Sequence, residues 1–171
     1  DYADHRSIIL NKLTRSVIPA KLISAYLATD YCVTPVSSAS RDGEKTASGL
    51  DHAFVLHVDE YSEALSRLFV VPGCQYAAFI TACNPLSMPH SLEENLAACA
   101  RLRDELIRHS LQPEQIINGE GRDPRGAWPG EKSFLALGLD LETSMLLGRE
   151  FGQNAVVWAG KDAIPRLILL R

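Results

Sequence analysis

The chain has 171 residues, of which 46% are hydrophobic, 22% charged and 7% aromatic, the make-up of one globular domain around one main core. Seventeen Lys and Arg against twenty-one Asp and Glu leave a formal net charge of -4, which argues against bulk-charge binding to duplex DNA or an anionic membrane. No apolar run approaches the roughly 18 residues that a membrane-spanning helix requires.

The first residues, 1–15, are mixed polar and basic and read as an arm or a short helix. A helix is expected over 18–28, with Pro19 in its first turn and Ile18, Leu22, Ile23, Tyr26 and Leu27 on one face. Tyr31-Cys32-Val33-Thr34 reads as a strand, and the Ser-, Gly- and charge-rich stretch 35–51 as a mobile loop. The strand His52–Val58 and a helix over 61–69 follow, the helix ending before Pro72-Gly73.

Residues 75–83 are apolar on both parities, as in a central strand covered on both faces. The helix expected at 92–109 repeats Leu92, Leu96, Cys99, Leu102 and Leu106 at three- and four-residue steps, and Ser91 with Glu94 forms a capping-box signature at its start. A short strand at 114–118 leads into a long loop over 119–131. Strand 133–138, helix 141–151, strand 154–159 and strand 164–170 complete the chain. The whole, 1–171, reads as a single α+β domain with a mixed, mainly antiparallel sheet and helices packed chiefly on one face. Its centre is a β-α-β-β-α-β unit of ferredoxin-like order. A mixed sheet with helices on both faces is the alternative.

Cys32, Cys74, Cys83 and Cys99 include no C-x-x-C pair, and the five histidines supply no close pair by which one turn holds two metal ligands. No metal or cofactor is expected. With no disulfide pattern and no basic, apolar leader at the start, the protein reads as soluble and cytoplasmic.

Three constellations carry the chemistry. In Thr81-Ala82-Cys83-Asn84-Pro85 a central strand runs out ahead of a long helix, where ligands of open α/β sheets tend to sit. Thr81 and Asn84 are candidate hydrogen-bonding groups there, Asn95 in the first helical turn joins them, and Cys83 would act as a nucleophile only beside a base. No P-loop, G-x-G-x-x-G turn or G-x-S-x-G elbow is present. In the loop 119–131 an ordered Trp128 is read as closing over a pocket, and Glu120 and Glu131 would approach if the loop closes like a hairpin. In Gly152-Gln153-Asn154 two amides open an apolar strand, so one should face each side and require a partner.

Phe79-Ile80-Thr81-Ala82-Cys83-Asn84-Pro85, Asn95, Trp128-Pro129-Gly130-Glu131 and Phe151-Gly152-Gln153-Asn154-Ala155-Val156 together resemble a bacterial family known as domain of unknown function 3293. Ala25-Tyr26-Leu27-Ala28-Thr29-Asp30-Tyr31 is similar to that family's start, so the resemblance runs from about 20 to 170. It implies bacterial origin and a compact single domain, but no established activity, so no catalytic role transfers. Cysteine is not required by its pattern at position 83. The resemblance does place Thr81, Asn84, Asn95, Trp128, Glu131 and Gln153 in one set.

The leading expectation is a polar pocket for a small molecule, nucleotide-like ligands included. Thr81, Asn84, Asn95, Trp128 and Gln153 would bind, and Glu131 would be the acid or base. Whether it catalyses a reaction is open. The rival is a protein-interaction or regulatory module that presents the Trp128 loop as its recognition surface, with Arg122 and Arg125 beside it. Trp128 separates the two: covering a concave polar site it speaks for a ligand, and exposed on a flat patch for a partner. Single-stranded nucleic-acid binding ranks last, because the strands are mostly aliphatic. No membrane partner is expected, and the oligomeric state is left open.

Overall fold

The computed structural model describes residues 16–35 and 52–171. The expected arm at 1–15 lies outside the described residues, as does the expected loop over 35–51 apart from its first residue.

Helix α1 spans Ala20–Ala28 after Pro19, whose missing N–H costs nothing at a helix start. It leads into β1 (Asp30–Val33). Then come β2 (Phe54–Leu56) and α2 (Glu63–Leu68), the latter capped by Ser62, whose hydroxyl accepts from the Leu65 amide. The central strand β3 (Ala77–Thr81) is followed by a tight turn at Pro85–Ser87 and by the long helix α3 (Leu92–Arg108). The reciprocal Ser91–Glu94 capping box forms at the α3 start, as its spacing predicts. Strands β4 (Ile116–Arg122) and β5 (Glu131–Leu137) form a hairpin. Helix α4 (Leu141–Glu150), capped by Asp140, precedes β6 (Ala155–Ala159) and β7 (Arg166–Leu169).

The seven strands form one sheet in the order β2-β1-β4-β5-β3-β6-β7. Every pairing in it is antiparallel, so the expected mixed sheet is instead antiparallel throughout the described residues. Between β3 and β6 the chain runs β-α-β-β-α-β, with those four strands adjacent as β4-β5-β3-β6.

Helices lie on both faces, not chiefly on one. Ala78 and Ile80 of β3 join Cys99, Leu102 and Leu106 of α3 and Leu147 of α4 in one core. Ala77 and Phe79 point the other way and join Ile23 of α1 and Leu65 and Leu68 of α2 in a second. The physical reason is the double-sided apolar character of β3, whose first four residues are all buried. Such a strand needs a cover on each face.

Candidate functional site

The end of β3 is shaped by its last polar residue. The Thr81 hydroxyl donates to the Lys132 carbonyl of β5 at 2.6 Å and accepts from the Cys83 amide at 3.0 Å. This steers the chain out of the sheet and into Asn84. Asn84 adopts φ 46 and ψ 62, left-handed backbone that asparagine tolerates better than most residues. Leu86 (φ 56) and Ser87 (φ 59) share that region, so the turn beside the site holds backbone strain. It is pinned from below: the Leu86 amide donates to the Gly152 carbonyl at 2.7 Å. At Gly152, which has φ +67, a Cβ would meet Pro85 at 2.9 Å, so both conformation and closeness call for glycine.

The Asn84 side chain is the hub. Its Nδ2 donates to Glu131 Oε1 at 2.9 Å, while its Oδ1 accepts from Asn95 Nδ2 at 2.9 Å and from the His90 amide at 3.0 Å. Asn95 returns the bond, its Oδ1 accepting from the Asn84 amide at 2.9 Å. One turn, one helix and one strand are thereby tied at a single amide. Burial pushes the Glu131 carboxyl above the ordinary glutamate range, and the Asn84 hydrogen bond only partly offsets it. Asn84 supplies the side-chain hydrogen bond to Glu131, and among the described residues no cation lies within ion-pair distance.

Gln153 and Asn154 are both buried and both satisfied. Gln153 Nε2 donates to the Cys83 and Phe151 carbonyls, which fixes the backbone next to Asn84. Asn154 Nδ2 donates to the Tyr26 and Ser87 hydroxyls, and its Oδ1 accepts from Arg171. The Tyr26 and Ser87 hydroxyls are themselves 2.9 Å apart.

These groups surround a cavity of about 910 Å³. Thr81, Asn84, Asn95, Trp128, Glu131 and Gln153 all line it. Trp128 is half-buried on that wall. The loop does close as a hairpin, with Gly121 opposite Glu131 and Glu120 opposite Lys132, and both glutamates are among the residues lining the cavity. Alternation along the strands turns their side chains to opposite faces, so they do not form the expected pair. Their surroundings differ: Arg122 pairs with Glu120 at 3.0 Å, whereas an amide holds Glu131. The geometry divides the six residues by task. Thr81 and Gln153 spend their side chains on backbone, Asn84 and Asn95 brace each other, and Glu131 and Trp128 present less committed groups.

Cys83 is not set up as a nucleophile. Its thiol lies 3.6 Å from that of Cys99, and this hydrogen bond together with burial keeps it protonated. Among the described residues no group of three or more His, Cys, Asp or Glu side chains gathers as metal ligands. No helix among them is long and apolar enough to cross a membrane.

Tyr26, Tyr31, Phe79 and the glycines Gly119 and Gly121 also line the cavity, although their motifs did not single them out as site residues. Tyr31, buried against Phe79 in an edge-on contact, donates its hydroxyl to the Tyr26 carbonyl at 2.6 Å. Alternation along β1 places Tyr31 beside Val33 on a buried face, but reads equally well as plain core.

Residues 80–156 match a family model described as a protein of unknown function, DUF3293. Over these residues the chain is similar to the DUF3293 family. All six candidate residues fall inside the DUF3293 segment, while Ala25–Tyr31, which carries part of the cavity wall, lies outside it. No curated protein and no solved structure matches the chain.

Proposed function

We propose that this protein binds a small molecule in the cavity between the end of β3 and the β4–β5 loop, with Glu131 as the group for acid–base work. One observation carries the reading: six polar or aromatic residues from a turn, a helix, a hairpin and a strand start converge on one concavity of about 910 Å³. That size suits a metabolite-sized ligand, and a few placed polar groups among apolar ones are typical of such sites. Asn84 and Asn95 set the shape of the polar wall and Trp128 contributes an aromatic face. A carboxyl raised by burial can both hold and release a proton nearer neutrality than an exposed glutamate. The wall position of Trp128 favours this reading over a flat recognition surface. For a nucleotide, the base and sugar suit the cavity better than the phosphates do. The adjacency β4-β5-β3-β6 supports reading the centre of the sheet as a ferredoxin-like unit. Free thiols at all four cysteines support a reducing cytoplasm as its setting.

The test is a thermal-shift screen of nucleosides, nucleotides, amines and organic acids against wild type and Gly121→Ile, a variant whose new side chain would occupy the cavity. A true ligand at 100 times its dissociation constant stabilises wild type by about 2.7 kcal/mol and leaves the variant unchanged. Hits that shift both proteins equally would place binding elsewhere and defeat the proposal.

A further inference from the structure

The cavity wall also points to a ligand class, an inference that rests on the small-molecule reading above. Among the described residues, the acidic and basic ones along that wall are Glu120, Glu131, Lys132 and His90. Glu120 is matched by Arg122, with hydrogen bonds of 3.0 and 3.3 Å. The Lys132 ammonium lies 5.8 Å from the centre of the Phe134 ring, whose side chain belongs to the α3–α4 core on the opposite face of the sheet. His90 stands 3.8 Å from Glu94, which caps the α3 start. Glu131 is therefore the carboxylate of the wall with no cationic partner among the described residues.

We propose that the cavity receives a protonated amine on a compact apolar or aromatic body, with Glu131 as its counter-ion.

Three features of the wall support that class. A partly desolvated carboxylate gains most from a charge-assisted hydrogen bond, and an ammonium supplies one. Burial has already raised the Glu131 carboxyl, the response of a group that lacks a counter-charge. Tyr26, Tyr31, Phe79 and Trp128 bring aromatic surface to the same cavity, and aromatic faces attract cations as well as apolar bodies. A phosphate would meet the reverse situation. Among the described residues no arginine lines the cavity, and the α3 N-terminus nearby is already closed by Ser91 and Glu94 with Glu93 in its first turn. Phosphorylated ligands are thereby disfavoured and amines favoured, which narrows the nucleotide-like expectation to its unphosphorylated part.

The experiment compares three probes of one shape: phenethylamine, phenethyl alcohol and 3-phenylpropionate. Their binding is measured by isothermal titration and ligand-observed NMR at neutral pH, on wild type, Glu131→Gln and Glu120→Gln. The amine should bind wild type about tenfold more tightly than the alcohol, and the carboxylate should bind least. Glu131→Gln should abolish that preference while leaving the alcohol's affinity in place, and Glu120→Gln should keep the preference. An alcohol or carboxylate that binds as well as the amine overturns the inference and leaves the small-molecule reading standing. An amine preference that survives Glu131→Gln overturns the role of Glu131. Absence of binding by all three overturns the amine class, while the broader screen decides the cavity reading separately.

Discussion

The raised Glu131 carboxyl makes the stability of this protein depend on pH in a definite direction. Between the ordinary glutamate range and its raised value, the folded state holds more of the Glu131 proton than the unfolded chain does. Stability from this residue is therefore present at low pH and is lost as pH rises through that window. Glu131→Gln keeps an acceptor for Asn84 Nδ2 and removes the ionisation. The variant should melt higher than wild type at pH 7, with the two converging near pH 4, as read by calorimetry. A variant that melts lower at pH 7 would show that the charge is compensated. Asn84 allows a second test at this scale. Asn84→Ala and Asn84→Gly each forfeit the same three side-chain hydrogen bonds, to Glu131, Asn95 and His90. They differ in backbone, since at φ 46 alanine pays a left-handed cost that glycine does not. Denaturant titration should find the alanine variant less stable than the glycine variant by about 1 kcal/mol. Equal stabilities would mean that the turn relaxes. Polar residues such as Asn84, Gln153 and Glu131 were legible because amides and acids at strand ends are out of place unless partnered. The Tyr26–Ser87–Asn154 cluster was not, because its members come from three distant segments and only folding brings their hydroxyls and amide together.

The elements differ in how openly their residues announce them. Helix α3 declares itself twice, through its apolar stripe and through Ser91 and Glu94, and it was legible to within a residue or so. Strand β4 was not. The pattern suggests a strand over 114–118 and a loop over 119–131, but β4 runs from Ile116 to Arg122 and the hairpin closes only beyond it. Gly119 and Gly121 hide the alternation, because glycine has weak strand preference and no side chain to mark a face. Pairing with β1 on one side and β5 on the other overrides that preference. The two glycines should respond differently to substitution. A Cβ at Gly119 would lie 2.8 Å from both the Cys32 carbonyl oxygen and the Phe79 ring, so Gly119→Ala should cost about 1–3 kcal/mol through overpacking. At Gly121 the nearest atom, Thr29 Cγ2, stands at 3.8 Å. Gly121→Ile should fold with wild-type or better stability while filling part of the cavity. Thermal melts of the two variants decide this, and a folded, unperturbed Gly119→Ala would contradict the packing argument.

On the scale of the whole molecule, the sheet is a partition between two cores. The alternation of Ala77 and Phe79 against Ala78 and Ile80 assigns one β3 set to each side. This two-sidedness was readable in the apolar run of β3, yet the short α1 and α2 helices gave too little periodic signal to be assigned to the second face. The cavity opens on the side of α1, where Tyr26 and Thr29 face the Asn84 turn and the β4–β5 hairpin. The segment matched to DUF3293 brings Asn84, Asn95, Trp128 and Glu131, and residues before and after it bring Tyr26, Tyr31 and Leu167. Cut free of the rest, that segment would carry half a mould: the polar contour of a guest without the surface that gives it an inside. The Asn154 amide, reaching from that segment to the Tyr26 hydroxyl, is a stitch across the seam where the two halves meet.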